Sequence, residues 1–157
     1  MAETIGVVGA GVMGRGVAQL FAQAGHEVGL FDANADAVSA AVKFVIGMIE
    51  RQVVKGTLSA EVGAATAARV KPSAVLADLA PCDVVVEAIV ERLDAKQALF
   101  RELEPLVRED CILASNTSSL LISAIASACA RPERVAGLHF FNPVPLMKIA
   151  EVIPGVM

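Results

Sequence analysis

The chain has 157 residues, 55% of them hydrophobic, and a net charge of −4. That length suits one domain with a sizeable core and is too short for two full ones. No apolar run approaches the roughly 18 residues that a membrane span needs, and the absence of basic clusters argues against nucleic acid or an anionic membrane as a partner. Alanine and valine inflate the apolar fraction, as expected of strands buried on both faces and helices packed against them, so a soluble α/β chain is predicted. MAETIG runs directly into the first strand and leaves no room for a signal or transit segment, which makes a cytoplasmic location the expectation. The three cysteines, Cys82, Cys111 and Cys129, are widely spaced without a C-x-x-C, and read as reduced and buried with no metal role.

Ile5 to Val8 predicts a short strand that runs into Gly9, Gly11 and Gly14 at G-x-G-x-x-G spacing, then into a helix over about Val12 to Ala24 that Gly25 closes. Gly9 allows the tight turn, Gly11 lets a pyrophosphate approach the backbone, and Gly14 lets the helix pack closely on the strand. The phosphates would rest on the free amides and positive dipole end of that helix, so the segment Gly9, Ala10, Gly11, Val12, Met13, Gly14 is the candidate dinucleotide cradle. A second strand, Glu27 to Phe31, ends in Asp32, close to the expected spacing of about 20 residues beyond the glycines. A carboxylate there accepts hydrogen bonds from both hydroxyls of an adenosine ribose and repels a 2′-phosphate. Ala33, Asn34 and Ala35 supply no cation, so NAD is expected as cofactor over NADP. The plainer alternative for Asp32 is a cap on the next helix. His26, alone in a turn, reads as structural.

From Asn34 or Asp36 a long helical pattern runs to about Lys55, with Val38, Ala41, Val42, Val45, Ile49 and Val53 at three- and four-residue steps, and Gly56 stops it. A short helix from Ser59 ends before Val70-Lys71-Pro72. Roughly 35 residues thus separate the second and third strands where a minimal crossover needs one short helix. Such an inserted helical arm suits a substrate-specific role. Lys55 at its tip could meet an anionic group or simply cap the helix dipole.

Cys82 to Ile89 reads as a central parallel strand ending at Glu87 and Glu91. A helix over Leu93 to Val107, a strand over Cys111 to Ser115, the polar turn Asn116-Thr117-Ser118-Ser119 and a helix over Leu120 to Cys129 follow. Pro132 then breaks the chain before a strand over Arg134 to His139, the segment FFNPVP, and a last strand-like stretch over Met147 to Ile153 that carries Glu151. The predicted fold is therefore α/β, doubly wound, with a mostly parallel Rossmann-type sheet. Gly9, Asp32, Glu87 or Glu91, Ser115 to Ser119 and His139 to Asn142 all fall at carboxyl ends of strands, where open α/β sheets bind ligands.

The set GAGVMGRGVAQ, VVVEAIVE, ASNTSSL and GLHFFNPVPLMKIAEV, in that order, resembles the nucleotide-binding domain of the L-3-hydroxyacyl-CoA dehydrogenases, which include the 3-hydroxybutyryl-CoA dehydrogenases. The likeness covers essentially the whole chain, and SNTSSL followed by HFFNPVP is its most specific part. It implies NAD-linked interconversion of a 3-hydroxyacyl-CoA and the 3-oxoacyl thioester, as in fatty acid β-oxidation. By that resemblance His139 matches the catalytic histidine, Glu151 its carboxylate partner, and Ser118 a serine touching substrate and cofactor. Glu91, Lys96 and Asn142 match positions lining the cofactor, and Lys55 a coenzyme A contact. Members continue into an all-helical domain that covers the acyl-CoA and usually makes the dimer. Residues 1–157 are therefore expected to be a single NAD-binding domain lacking that part, with weak or no turnover alone. The apolar stretch with Leu146, Ile149, Val152 and Ile153 is expected to leave surface for self-association.

The chemistry stands beside the resemblance. Hydride leaves carbon 3 only as its hydroxyl loses a proton, so a base must lie within hydrogen-bond reach, and an imidazole suits neutral pH. Glu151 lies twelve positions beyond His139, across a turn stiffened by Pro143 and Pro145. A carboxylate on one ring nitrogen fixes the tautomer and favours the imidazolium. Taken singly, His139 could be a buried histidine, Glu151 a surface carboxylate and Ser118 a helix N-cap. Three other functions compete: a small 3-hydroxy-acid dehydrogenase, which would share Met13 but lack HFFNP, a sugar-acid or lens-crystallin-like relative that keeps the same histidine and glutamate, and a non-enzymatic NAD-binding module.

Overall fold

The computed structural model of the chain describes residues 3–147 and 149–155. Its elements alternate as the apolar periodicity requires. They are β1 (Thr4–Val8), α1 (Val12–Gln23), β2 (Glu27–Phe31), α2 (Ala35–Val54), α3 (Ala60–Ala68), β3 (Val70–Pro72), β4 (Val84–Glu87), α4 (Leu93–Leu103), β5 (Ile112–Ser115), α5 (Ile122–Ala126), β6 (Val135–Phe140) and β7 (Ala150–Pro154). The strands form one sheet in the order β3-β2-β1-β4-β5-β6-β7, parallel throughout except for the antiparallel β6–β7 pair. This is the doubly wound architecture expected from the sequence, with α2 and α3 as the arm between β2 and β3.

Side chains of alternate residues enter two cores, one on each face of the sheet. Ile5 and Val7 of β1, Leu30 of β2 and Val86 of β4 meet Val17 of α1 and Val45 and Ile49 of α2. On the other face Val8, Val85 and Leu113 meet Phe100 and Leu103 of α4 and Ile125 of α5. The central strands are thus apolar in both directions, which is why they read as unbroken hydrophobic runs.

Val70–Pro72, which follows the arm, pairs with β2 as a parallel edge strand. Three local outcomes differ from expectation. The helix expected to reach Val107 stops at Leu103, with Glu104 as a still helical C-cap, because Pro105 has no amide hydrogen with which to continue the ladder. The helix expected over Leu120 to Cys129 shrinks to α5. Its start is delayed by the Thr117 hydroxyl oxygen, which accepts from the amides of Ser119 and Leu120, and its end tightens into i−3 bonds at Ala128 and Cys129. The strand expected over Met147 to Ile153 becomes β7. Lys148, like Met1, Ala2, Val156 and Met157, lies outside the described residues.

Other expectations hold. Asn34 caps α2 by accepting from the amides of Asp36 and Ala37, which leaves Asp32 free of that task. Ser59 caps α3. His26 meets the Glu3 carbonyl oxygen at 3.3 Å and packs edge-on to Phe21. Cys82 and Cys111 are buried and Cys129 half-buried. Burial pushes their thiols up to about 12, 11 and 11, far from the thiolate form that reacts or binds metal.

Two glycines in helices test this packing in opposite directions. A Cβ at Gly14 would stand 1.7 Å from the Gly9 carbonyl oxygen, whereas one at Gly47, within α2, meets nothing within 4 Å. Gly14→Ala is expected to destabilise the fold by about 3 kcal/mol or more through forced separation of α1 from β1. Gly47→Ala is expected to stabilise it by about 0.5–1 kcal/mol through helix propensity. Urea denaturation of the two variants checks both signs.

Candidate active site

The site begins where β1 and β4 lie side by side and their crossovers leave on opposite faces of the sheet. Gly9 takes φ +105°, and a Cβ there would come within 2.6 Å of the Ala88 carbonyl oxygen on the neighbouring strand end. Only glycine combines that backbone angle with that approach. Gly11 is the N-cap of α1, and nothing occupies the 4 Å around the position its Cβ would take. Open space therefore sits against the positive end of the helix. A cavity of about 630 Å³ extends from this point between Gly9, Gly11, Asp32, Ala33, Ile89 and Leu99.

Asp32 holds the turn and faces the cavity. One carboxylate oxygen accepts from the buried Ala10 amide at 2.8 Å and the other from the Asn34 amide at 2.9 Å. Each oxygen keeps a further lone pair for a ribose hydroxyl. Among the described residues no lysine or arginine lines this cavity, and Glu102 adds a second carboxylate. The donor set fits NAD: bare amides for the pyrophosphate, a carboxylate for the ribose, and nothing to neutralise a 2′-phosphate.

Ala88 and Ile89 also wall a second cavity of about 380 Å³, which continues past the end of β4 to Glu91, Ser118, His139 and Asn142. Met13 of α1 reaches its edge, while Val12 lies exposed on the first turn of that helix. His139 and Glu151 are directly opposed in the β6–β7 ladder, and His139 Nδ1 lies 2.8 Å from a Glu151 oxygen. A carboxylate accepts only, so Nδ1 is the donor, and in the neutral ring Nε2 keeps a lone pair. The imidazole also packs on Phe141, ring centroids 4.6 Å apart. Its side chain is 19% exposed against 53% for Glu151.

Glu91 fastens the opposite wall. One of its oxygens receives the Thr117 hydroxyl, the Ser118 amide at 3.1 Å and the Ser119 hydroxyl at 3.3 Å. Its other oxygen faces Lys96 Nζ at 3.2 Å. Burial by itself would raise the Glu91 carboxyl, but the hydrogen bonds from Thr117 and Lys96 outweigh it and hold the group below the usual carboxylate range. Ser118 caps no helix, since α5 begins four residues later at Ile122 with Leu121 as its N-cap. Beyond the site's other edge, Asn142 lines a third cavity of about 230 Å³ with Arg15, Gln19, Phe44 and Met48. Lys55 is the C-cap residue of α2 and lines none of these three cavities.

Three contributors, placed at strand ends by the sequence, receive no individual role from it. Thr117 is buried and turns the SNTSS segment. Asn116 clamps β5 to β6 by accepting from the Phe140 amide at 2.9 Å. Glu87, left open as an alternative to Glu91, is fully buried beneath Lys96. A polar residue closing an otherwise apolar run is the signal they share.

A Gly-rich strand-to-helix turn on a doubly wound sheet, with a carboxylate at the end of β2, defines a dinucleotide-binding domain of the dehydrogenase type. The family model for "3-hydroxyacyl-CoA dehydrogenase, NAD binding domain" matches residues 4–157, and the chain belongs to that family, with NAD as the cofactor. It is 43% identical over 98% of its length to a 3-hydroxyadipyl-CoA dehydrogenase of Escherichia coli, covering 32% of that protein. It is 41% identical to a 3-hydroxybutyryl-CoA dehydrogenase of Bradyrhizobium diazoefficiens, covering 98% of this chain and 53% of that one. The solved (S)-3-hydroxybutyryl-CoA dehydrogenase of Ralstonia eutropha superposes with a TM-score of 0.94 at 39% identity, over 99% of this chain and 55% of that one. The chain thus spans from about a third to about half the length of these relatives.

The Glu91 contacts carry a pH dependence whose sign follows from its lowered carboxyl. A group held below its unfolded value of 4.5 contributes stability above that value and loses it as pH falls through the folded one. The difference in urea midpoint between the wild type and Glu91→Gln is therefore expected to be largest at neutral pH and to shrink steadily below about pH 4.5. A difference that grows on acidification would contradict the assignment.

Proposed function

We propose that this chain supplies the NAD site and the proton-transfer residues for oxidation of an L-3-hydroxyacyl-CoA to the 3-oxoacyl-CoA, or the reverse. The observation that carries this reading is the placement of a carboxylate-oriented imidazole, His139, in a cavity that opens off the crevice fitted to NAD. When bound there, NAD supplies the hydride acceptor. His139 Nε2 takes the proton of the 3-hydroxyl as the electron pair of the carbon 3–hydrogen bond departs and the carbonyl forms. Glu151 holds the ring in the required tautomer and stabilises the imidazolium that results. Ser118, on a turn tied to Glu91, holds the substrate oxygen in line.

Asn142 is shared by the His139 cavity and the cavity against α2. The thioester therefore leaves past Asn142 along Phe44, Met48 and Gln52, a face of α2 that leads to Lys55, whose ammonium meets the anionic coenzyme. Two walls of this route come from the described residues. The remainder is assigned to a helical domain of the kind that the longer relatives have room for, which also provides the self-association expected of the whole protein. Positioning can supply about 7–11 kcal/mol of a barrier. The chain by itself is therefore expected to bind NADH and to reduce acetoacetyl-CoA only slowly.

Two variants separate binding from chemistry. Asp32→Ala is expected to weaken NADH by about tenfold or more, since two charge-assisted ribose contacts of about 1.5–3 kcal/mol between them are lost. His139→Ala is expected to leave the NADH dissociation constant within about threefold while lowering turnover of acetoacetyl-CoA by about 10²–10⁴. Calorimetry with NADH and absorbance at the reduced-nicotinamide band check the two in parallel. Equal losses in binding and turnover for His139→Ala would refute its assigned role.

A further inference from the structure

Glu87 has no part in that chemistry, yet it lies directly beneath the crevice. Its side chain is 1% exposed, at the last residue of β4, between the strand ends that separate the two cofactor cavities. One oxygen receives Lys96 Nζ at 2.5 Å and the Ile89 amide at 2.7 Å, and the other receives the Ser115 hydroxyl at 2.6 Å. All three partners are placed to donate to it. Lys96, itself 1% exposed, bridges from Glu87 to Glu91 on the cavity wall. Two carboxylates therefore share one ammonium.

Stability alone gives no reason for this cluster. A buried ion pair is commonly replaced by apolar side chains of similar volume at no loss, because desolvation cancels the attraction. The charges do have an electrostatic consequence. Met13, Ala88, Ile89, Asn116, Ser118, Phe140, Phe141 and Asn142, which complete the cavity wall, carry none, and the remaining pair, His139 and Glu151, brings no surplus of positive charge. Glu91 and Lys96 on the wall cancel, and Glu87 behind them leaves a net negative charge that its burial shields from salt, although the Glu91 side chain is 38% exposed.

We infer that Glu87 is a positioning residue for the nicotinamide end of the cofactor. It fixes Lys96 beneath Glu91 and leaves one uncompensated negative charge that favours the oxidised, cationic nicotinamide over the reduced, neutral one. The inference rests on the reading that the nicotinamide occupies the His139 cavity. Glu87→Gln keeps the shape and the hydrogen bonds, since the amide oxygen still accepts from Lys96 and Ile89 and the amide nitrogen donates to the Ser115 hydroxyl. It removes only the charge.

The test measures dissociation constants of NAD⁺ and NADH for the chain by calorimetry. In Glu87→Gln the ratio of the NAD⁺ constant to the NADH constant is expected to rise by about three- to tenfold, as one unit charge at about 10 Å implies for a partly shielded site. In Glu87→Gln/Lys96→Met the original net charge returns, and the ratio is expected to move back toward the wild-type value even if both constants are weaker. A ratio unchanged in Glu87→Gln, or equal weakening of both forms, overturns the inference. Should Glu87→Gln not fold, Glu91→Gln at the solvent rim removes the same charge, and an unchanged ratio there overturns it equally. Wild-type chain that binds neither form would instead refute the NAD-site reading itself, before any variant is made.

Discussion

The closeness of β1 to β4 at their carboxyl ends is the constraint from which the rest follows. Gly9 turns the chain against Ala88, and Gly14 brings α1 against the carbonyl of Gly9. Neither contact leaves room for a methyl group. Together they set the start of α1 beside the strand ends, so that its free amides face a crevice rather than a wall. Because the crossovers leave β1 and β4 on opposite faces of the sheet, no helix fills that crevice. The cavity beside Asp32 and the cavity beside His139 are the two halves of this gap, joined at Ala88 and Ile89.

The polar side chains of an apolar chain are organised around that gap in layers. Glu87 and Thr117 lie in the interior, Glu91 and Lys96 reach the wall of the second cavity, and Ser118 and His139 border it. Glu87 pairs across the ladder with Ser115, so the ends of β4 and β5 are tied where the SNTSS turn departs. Asn116 then ties that turn to the end of β6. The three strands that carry Glu87, Ser118 and His139 are thereby locked to one another by side chains as well as by backbone ladders. This restricts the relative motion of the groups that border the second cavity.

Much of this was legible in the residues because it depends on local physical necessities. A glycine with positive φ, an apolar run of strand length and a carboxylate at a strand end each leave a mark that needs no long-range information. The edge strand β3 left little, having three residues of which only Val70 is buried. The early stop of α4 was written in Pro105, which has no amide hydrogen to continue the helical ladder, and was missed against a strong apolar periodicity. The burial of Lys96 could not be read at all. On α4 it looks like an ordinary solvated lysine, and only the fold brings Glu87 beneath it, nine residues away, at 2.5 Å. Pairwise placement of charges across elements is a tertiary property, and sequence spacing constrains it only within a helix or a hairpin.

The meeting of His139 and Glu151 is the instructive exception. They are twelve residues apart and belong to different strands, yet the sequence favours their contact because an antiparallel return fixes opposed residues by register. A slip of one residue would turn Glu151 to the other face of the sheet. The side chains of β7 are exposed throughout, so burial of an apolar face cannot enforce that register. It is enforced instead by the backbone ladder and by Gly137, where a Cβ would crowd both Ile153 and Ile122. Gly137 lets β7 close onto β6 at one defined point, and Glu151 then falls opposite His139. The precision of the pair thus derives from the absence of a side chain two residues before the histidine.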